Sequence, residues 1–308
     1  MLRPAMNENF SFAIAYDFDG TLSPGNMQEY SFIPALGFQD PGDFWALTKQ
    51  CPENTDQTLG YLFTMLKEAR KRGIRVTREY LKSCGRDIKL FPGVDSWFDR
   101  ISAYGRTKNI TVSHYIISTG TREIIEGSPI AGYFKKIFAS SFLYDAAGDA
   151  IWPGTAINYT SKTQYLFRIN KGALDESNDE LVNAFVPDEE RVVPFHYMLY
   201  IGDGATDIPC FRVLTNAGGS AVAVYDESNP RTREQVEKIA LGGNRVSLIF
   251  NADYRENSPV DLAVKAILDR ARAVHDIHVL KEKVKTEFGL RQKTTDPGTR
   301  DLCSGSRR

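Results

Sequence analysis

Apolar runs of strand length alternate with helix-length patterns along most of this chain, and that alternation limits its fold more than any other feature. The strand candidates are Phe12–Phe18, Ile110–Ser118, Tyr197–Asp203, Ala221–Tyr225 and Val246–Phe250. The helical patterns between and after them are Val94–Tyr104, Lys162–Asn170, Ala205–Leu214, Arg233–Leu241 and Val260–Ala273. Strands separated by helices predict an α/β fold, a parallel sheet with helices on both faces. Such sheets bind ligands beyond the carboxyl ends of their strands. Most of the polar clusters of this chain sit at or just after such ends.

Two regions break the alternation. Between Ser23 and about Leu90 no strand is evident, and helices are expected near Met27–Leu36, Asp43–Thr48, Gln57–Lys71 and Thr77–Cys84. Ser23-Pro24-Gly25 and Phe91-Pro92-Gly93 bracket this stretch, which reads as an inserted small helical domain. The second break is FASSFLYDAAGDAIWPG, Phe138 to Gly154, where two short alternating runs flank Asp145–Asp149 and predict a β-hairpin. The expected organisation is therefore core (1–22), helical insertion (23–90), core (91–285) and a polar, unpatterned tail (286–308) expected to be disordered.

The bulk properties exclude several classes. At 308 residues there is room for about two domains, and 42% hydrophobic with 25% charged residues fits a globular rather than a disordered chain. A net charge of −1 provides no global field for nucleic acid or a membrane surface, so neither is expected as a partner. The N-terminus lacks the apolar core of a signal peptide, and no run approaches the roughly 18 to 20 apolar residues of a membrane span. Cys51, Cys84, Cys210 and Cys303 show no metal-type spacing and read as reduced thiols. A cytoplasmic location is expected. One local asymmetry stands out: Leu66 to Leu90 carries nine Lys or Arg against three acids. It reads as a solvated helix face or as a surface that steers an anionic substrate.

Four clusters carry candidate chemistry. Asp17-Phe18-Asp19-Gly20-Thr21-Leu22 follows the first strand, with Gly20 allowing a sharp turn or close approach. His114 to Gly120, HYIISTG, ends in the hydroxyls of Ser118 and Thr119. Lys162 opens a helical pattern behind Thr160 and Ser161. In LYIGDGATDIP, Asp203 ends a strand and Asp207 follows four residues later. Each has a plain structural reading: a turn aspartate, a helix cap, a surface lysine, an acid in the first turn of a helix. Taken as a set at strand ends, they gather four carboxylates at one sheet edge, which demands compensation. A hard divalent cation such as Mg²⁺ with oxygen ligands supplies it, and Mg²⁺ commonly binds carboxylates together with substrate phosphate. Lys162 adds a positive charge and Ser118 a hydroxyl donor for phosphate oxygens. His196, His275 and His278 form no ligand-like cluster.

DFDGTL, IIST, the helix-leading Lys162 and GDGATD resemble the four ordered motifs of the haloacid dehalogenase superfamily, from about Phe12 to Ala273. The resemblance implies a Rossmann-like core, with the insertion similar to the small helical cap of the superfamily's phosphatases. The hairpin and the GDGATDIPC run look most like the phosphoserine phosphatase branch. By that resemblance Asp17 is the nucleophile and forms an aspartyl-phosphate, and Asp19 protonates the leaving alkoxide and then activates water. The implied metal ligands are the Asp17 carboxylate, the Asp19 backbone carbonyl and Asp203, with Asp207 assisting directly or through water. Ser118, Thr119, Gly20 and Lys162 would surround the phosphoryl group. Asp19 itself separates this chain from the ion pumps, which carry Thr there.

The resemblance implies a Mg²⁺-dependent phosphomonoesterase of a small phosphorylated metabolite, or a phosphomutase or phosphotransferase using the same chemistry. A signalling receiver domain would be far shorter and would place its phosphorylated Asp on a later strand, and a catalytically idle scaffold has no missing residue to recommend it. Should Lys162 lie elsewhere, Lys171 is the alternative third-motif lysine. One position departs from the phosphoserine branch: where a Glu nine residues after the nucleophile contacts the substrate's amino group, this chain has Asn26, with Glu29 three residues later.

Overall fold

The structure, a computed structural model, describes residues 8–241, 246 and 248–288. The segment on which a signal peptide would begin, residues 1–7, and Cys303 with the tail from residue 289 lie outside the described residues.

Seven strands form one sheet: β1 (Phe10–Tyr16), β2 (Ile110–Thr121), β3 (Phe134–Tyr144), β4 (Ala150–Thr155), β5 (Met198–Gly202), β6 (Ser220–Tyr225) and β7 (Leu248–Asn251). Their spatial order is β4-β3-β2-β1-β5-β6-β7, and every pairing is parallel except the β3–β4 hairpin. β1 is central and its residues from Phe12 to Tyr16 are buried without alternation, as a strand covered on both faces requires.

The helices confirm that both faces are covered. α1 (Phe32–Ala35), α2 (Pro41–Thr48), α3 (Gln57–Lys71) and α4 (Arg78–Cys84) lie between β1 and α5 (Val94–Thr107) in the chain. After β2 come α6 (Arg122–Glu126), α7 (Lys162–Lys171) and α8 (Asp179–Asn183), and then α9 (Ile208–Asn216), α10 (Pro230–Leu241) and α11 (Pro259–Glu287). Tyr16 points to the α5 face, where its ring meets Phe98 at 5.8 Å. Its register partner is Ile201, so the neighbouring Tyr200 points to the opposite face and meets Phe211 of α9 at 5.7 Å. A buried polar chain anchors the α5 side: Trp97 Nε1 donates to the Tyr16 hydroxyl (2.9 Å), which bonds His114 Nδ1 (3.0 Å), whose Nε2 bonds Ser102 (3.0 Å).

Three expectations need correction. The hairpin is present, but its first arm is the second half of a strand starting at Phe134 that pairs in parallel with β2. Lys135 and Lys136 interrupt the apolar run there and hide that half. Similarly, β2 continues past Ser118 to Thr121. The last helix runs to Glu287, so the boundary set at 286 falls inside it.

The helical insert is attached at several places. Its two ends meet where Phe91 N donates to Leu22 O (3.0 Å). Arg75 forms a bidentate ion pair with Asp149 in the hairpin turn (2.9 Å), and Ala150 N donates to Val76 O (2.8 Å). Arg78 lies 3.7 Å from the buried Glu123, and Lys82 pairs with Glu126 at 3.0 Å. The basic run is thus partly an ion-paired seam against the core, which neither sequence-level reading foresaw.

Candidate active site

The sheet register assembles the site. Tyr16 pairs with Ile116 on one side and Ile201 on the other, so Asp17, Ser118 and Asp203 emerge at the same carboxyl edge. The Asp17 backbone N–H still donates to Ile201 O (2.9 Å), and the chain then turns sharply, with the Leu22 N–H returning to Phe18 O (2.9 Å). Gly20 has φ of +72°, and a Cβ there would lie 2.1 Å from Asp203 Oδ2. Glycine is therefore demanded both by the backbone and by the aspartate packed against it.

Lys162, the first residue of α7, is completely buried. Its ammonium donates to Asp17 Oδ2 (2.6 Å), Asp207 Oδ1 (2.7 Å) and Thr206 Oγ1 (3.3 Å). Burial works against its charge, but Asp17 and Asp207 more than offset this and hold its pKa above the ordinary lysine value. Lys171 is engaged elsewhere, donating to Val182 O and Ala184 O at 2.6 and 2.7 Å. Of the two lysines, Lys162 is the one the fold brings against Asp17.

The carboxylates exceed the cationic charge available. Burial raises Asp17 to about 6, with Lys162 pulling it down and Asp207 adding to the rise. Asp203 stands well above the carboxylate range because of burial, then the charges of Asp207 and Asp17. Burial and the charge of Asp17 also hold Asp19 well above its ordinary value. One oxygen each of Asp17, Asp203 and Asp207 lie within 4.8 Å of one another. Hard oxygen donors with surplus negative charge fit Mg²⁺. Asp207 is the most committed of the three: Oδ1 accepts from Lys162 and Tyr200 (2.7 Å each), and Oδ2 from the Asp203 and Gly204 amides (3.1 and 3.0 Å).

The other expected residues surround this cluster. Asp19 is turned toward the insert, where Oδ1 accepts from Met27 N (2.8 Å). Ser118 is buried and its Oγ accepts from Gly120 N (3.0 Å). Thr119 offers its carbonyl to the Tyr61 hydroxyl of α3 (2.6 Å) and to Ser140 (3.0 Å). Beside them opens a cleft of about 920 Å³. Asp19, Thr119, Gly120 and Thr206 line it from the core, and Trp45 and Tyr61 from the insert. None of the nine basic residues between Leu66 and Leu90 lines it. Asn26 donates to Glu29 Oε1 (2.6 Å), which also accepts from Trp45 Nε1 (2.7 Å).

Sequence reasoning missed Thr206, Tyr200 and Tyr61. Thr206 lies inside GDGATD and its hydroxyl was a visible signal. Tyr200 sits within an apolar strand and Tyr61 within a helix distant in sequence, so only the fold brings them in.

No protein-family model matches the chain. An uncharacterized protein of Borreliella burgdorferi is 30% identical over 240 residues, 68% of this chain and 81% of that protein. Among solved structures, a probable phosphoserine phosphatase from Vibrio cholerae superposes with a TM-score of 0.50 at 12% identity, covering 89% of this chain and 69% of that one. A HAD family hydrolase from Salmonella enterica serovar Typhi gives a TM-score of 0.47 at 18% identity, covering 75% of this chain and 67% of that one. The likeness to the Vibrio structure is one of fold.

Proposed function

We propose, for a chain that belongs to the family of the Borreliella burgdorferi protein and has the haloacid dehalogenase fold, the activity of a Mg²⁺-dependent phosphomonoesterase. The observation that carries this reading is the buried ammonium of Lys162 between Asp17 and Asp207, with Asp203 alongside. A buried cation beside a carboxylate at a strand end is an arrangement for an oxyanion next to a nucleophile. Asp17 is the nucleophile: a carboxylate oxygen attacks phosphorus, the ester oxygen departs, and an aspartyl-phosphate forms on Asp17. Asp19, two residues on and lining the cleft, gives its proton to the departing oxygen and then takes one from the attacking water. Lys162 and Ser118 hold the phosphoryl oxygens, and Tyr200 and the backbone amides fix Asp207 so that Lys162 stays in place. Asp17, Asp203 and the Asp19 carbonyl would hold Mg²⁺, with Asp207 assisting. When bound, the metal supplies charge neutralisation at the phosphoryl group.

The helices between Ser23 and Leu90 act in this reading as a cap over the cleft, which limits access to small substrates. The test is phosphate release from an aryl phosphate in the presence of Mg²⁺. Asp17→Asn lowers turnover below about a thousandth of wild type, and Asp19→Asn lowers it roughly 10²- to 10⁴-fold. Wild-type turnover in Asp17→Asn would sink the mechanism. Measuring free phosphate also separates hydrolysis from transfer to a second hydroxyl.

A further inference from the structure

We propose that the cleft is built for a nucleoside monophosphate, an inference that rests on the phosphatase reading and names its substrate class. Size comes first. At about 920 Å³ the cleft is near the upper end of the roughly 300 to 1,000 Å³ common for small-molecule sites, far more than a three-carbon leaving group fills. Charge comes second. Apart from Asp19, the acidic and basic side chains lining it are Glu53 and Asp56 against Lys49. A second phosphate or a carboxylate on the substrate meets net repulsion there, so the ligand carries one phosphate and a leaving group without negative charge.

The rings and amides specify that leaving group. Trp45, Tyr61 and Tyr159 line the cleft from α2, α3 and the loop before α7. Each is held by its polar end: Trp45 Nε1 on Glu29 (2.7 Å), the Tyr61 hydroxyl on Thr119 O (2.6 Å), the Tyr159 hydroxyl on Gln57 Oε1 (2.9 Å). Trp45 and Tyr61 meet edge to face, with centroids 6.2 Å apart. Aromatic side chains anchored this way present faces on which a planar base stacks. Asn54 also lines the cleft and carries the paired donor and acceptor that a heterocycle's edge requires, whereas the amide of Asn158 is committed to Asp56 Oδ2 (3.1 Å) and the Ser161 amide (3.2 Å). Nearer the reacting centre, Gln28 follows Met27, whose amide holds Asp19. Gln28 is 2% exposed, lines the cleft, and its Oε1 has no hydrogen-bond partner among the described residues. A buried acceptor left open there calls for a ligand donor, which a sugar hydroxyl supplies. A quaternary ammonium would also suit aromatic walls, but it neither donates nor accepts hydrogen bonds and leaves Gln28 Oε1 without a partner.

The experiment compares kcat/KM of the full chain with Mg²⁺ on adenosine and uridine 5′-monophosphates, ribose 5-phosphate, phosphoserine, phosphocholine and an aryl phosphate. The expected result is a preference of about 100-fold or more for a nucleoside monophosphate over ribose 5-phosphate, with the corresponding diphosphate a weaker competitor. Trp45→Leu and, on the exposed loop, Tyr159→Ala each cut that preference about tenfold, chiefly through KM. Calorimetry of the same nucleotides with Asp17→Asn reads binding without turnover. Equal rates on ribose 5-phosphate, or preference for phosphocholine or phosphoserine, overturn the nucleoside assignment while the phosphatase reading stands. Failure to hydrolyse any ester while Asp17→Asn still binds nucleotide supports the cleft assignment and overturns the phosphatase reading; failure of both overturns both.

Discussion

His114 sits one strand away from Asp17 and takes no part in the chemistry, yet it has a titration of its own. Enclosed among Tyr16, Phe98 and Ser102, it is driven by burial down to about 4. The folded state therefore favours the neutral imidazole, while the unfolded chain takes up a proton near 6.5. The stabilisation is complete above the unfolded value and is lost as pH falls from 6.5 toward 4. Between pH 7.5 and pH 5 this one group removes about 2 kcal/mol. Urea unfolding at the two pH values checks it: wild type loses that much more stability than His114→Gln, in which the other acids still titrate. At this scale the sequence named most of the residues that the fold gathers around Lys162. Asp17 and Asp203 directly follow strands and Asp19 lies in the turn, while Lys162, at the start of α7, gains weight only as part of that set. Tyr200 carries no such signal, because a tyrosine in an apolar strand is ordinary until Asp207 is found 2.7 Å from its hydroxyl.

Between elements, a close backbone approach joins α4 to α6. A Cβ on Gly85, after α4, would lie 2.0 Å from Ile124 O, and one on Gly127, after α6, would lie 1.8 Å from Lys82 O. Backbone cannot yield as a flexible side chain does, so Gly85→Ala must push α4 away from α6. Overpacking of this kind costs about 1 to 3 kcal/mol. The expected outcome is a lower Tm, with faster amide exchange across Arg78–Cys84 than across β1; unchanged exchange in α4 would contradict it. Neither glycine carries a sequence signal, since both read as simple helix endings. Strand β3 was concealed for a different reason. Lys135 and Lys136 lie where the strand is only partly covered, and their charges break the apolar pattern that made β1 and β5 evident. Hydrophobic periodicity reports burial, and a partly exposed strand gives it little to report.

For the molecule as a whole, four carboxylates are gathered around one lysine, and the folded chain holds that surplus together against its own repulsion. A cation that binds only this assembled edge stabilises the fold by mass action, about 2.7 kcal/mol at a hundred times its dissociation constant. Mg²⁺ added to the apo protein is expected to raise Tm by several degrees, and Asp203→Asn to abolish most of that rise. A scanning calorimeter decides it without any substrate; an equal rise in the variant would move the cation elsewhere. The α/β alternation and the run of helices without a strand between β1 and α5 were readable, because both rest on pattern over many residues. How the insert is seated was not, because ion pairs such as Arg75–Asp149 join positions far apart in sequence. The junction at its base has a further consequence. Leu22 O and Phe91 N are one hydrogen bond apart, so the chain between them leaves and re-enters the core at neighbouring points. The same segment holds Asp19 through the Met27 amide and Thr119 through Tyr61, so its seating and the geometry of the strand ends are set together. A replacement segment that keeps the carboxylate cluster in place must therefore reproduce those two contacts and the α4–α6 seam as well as the junction at its base.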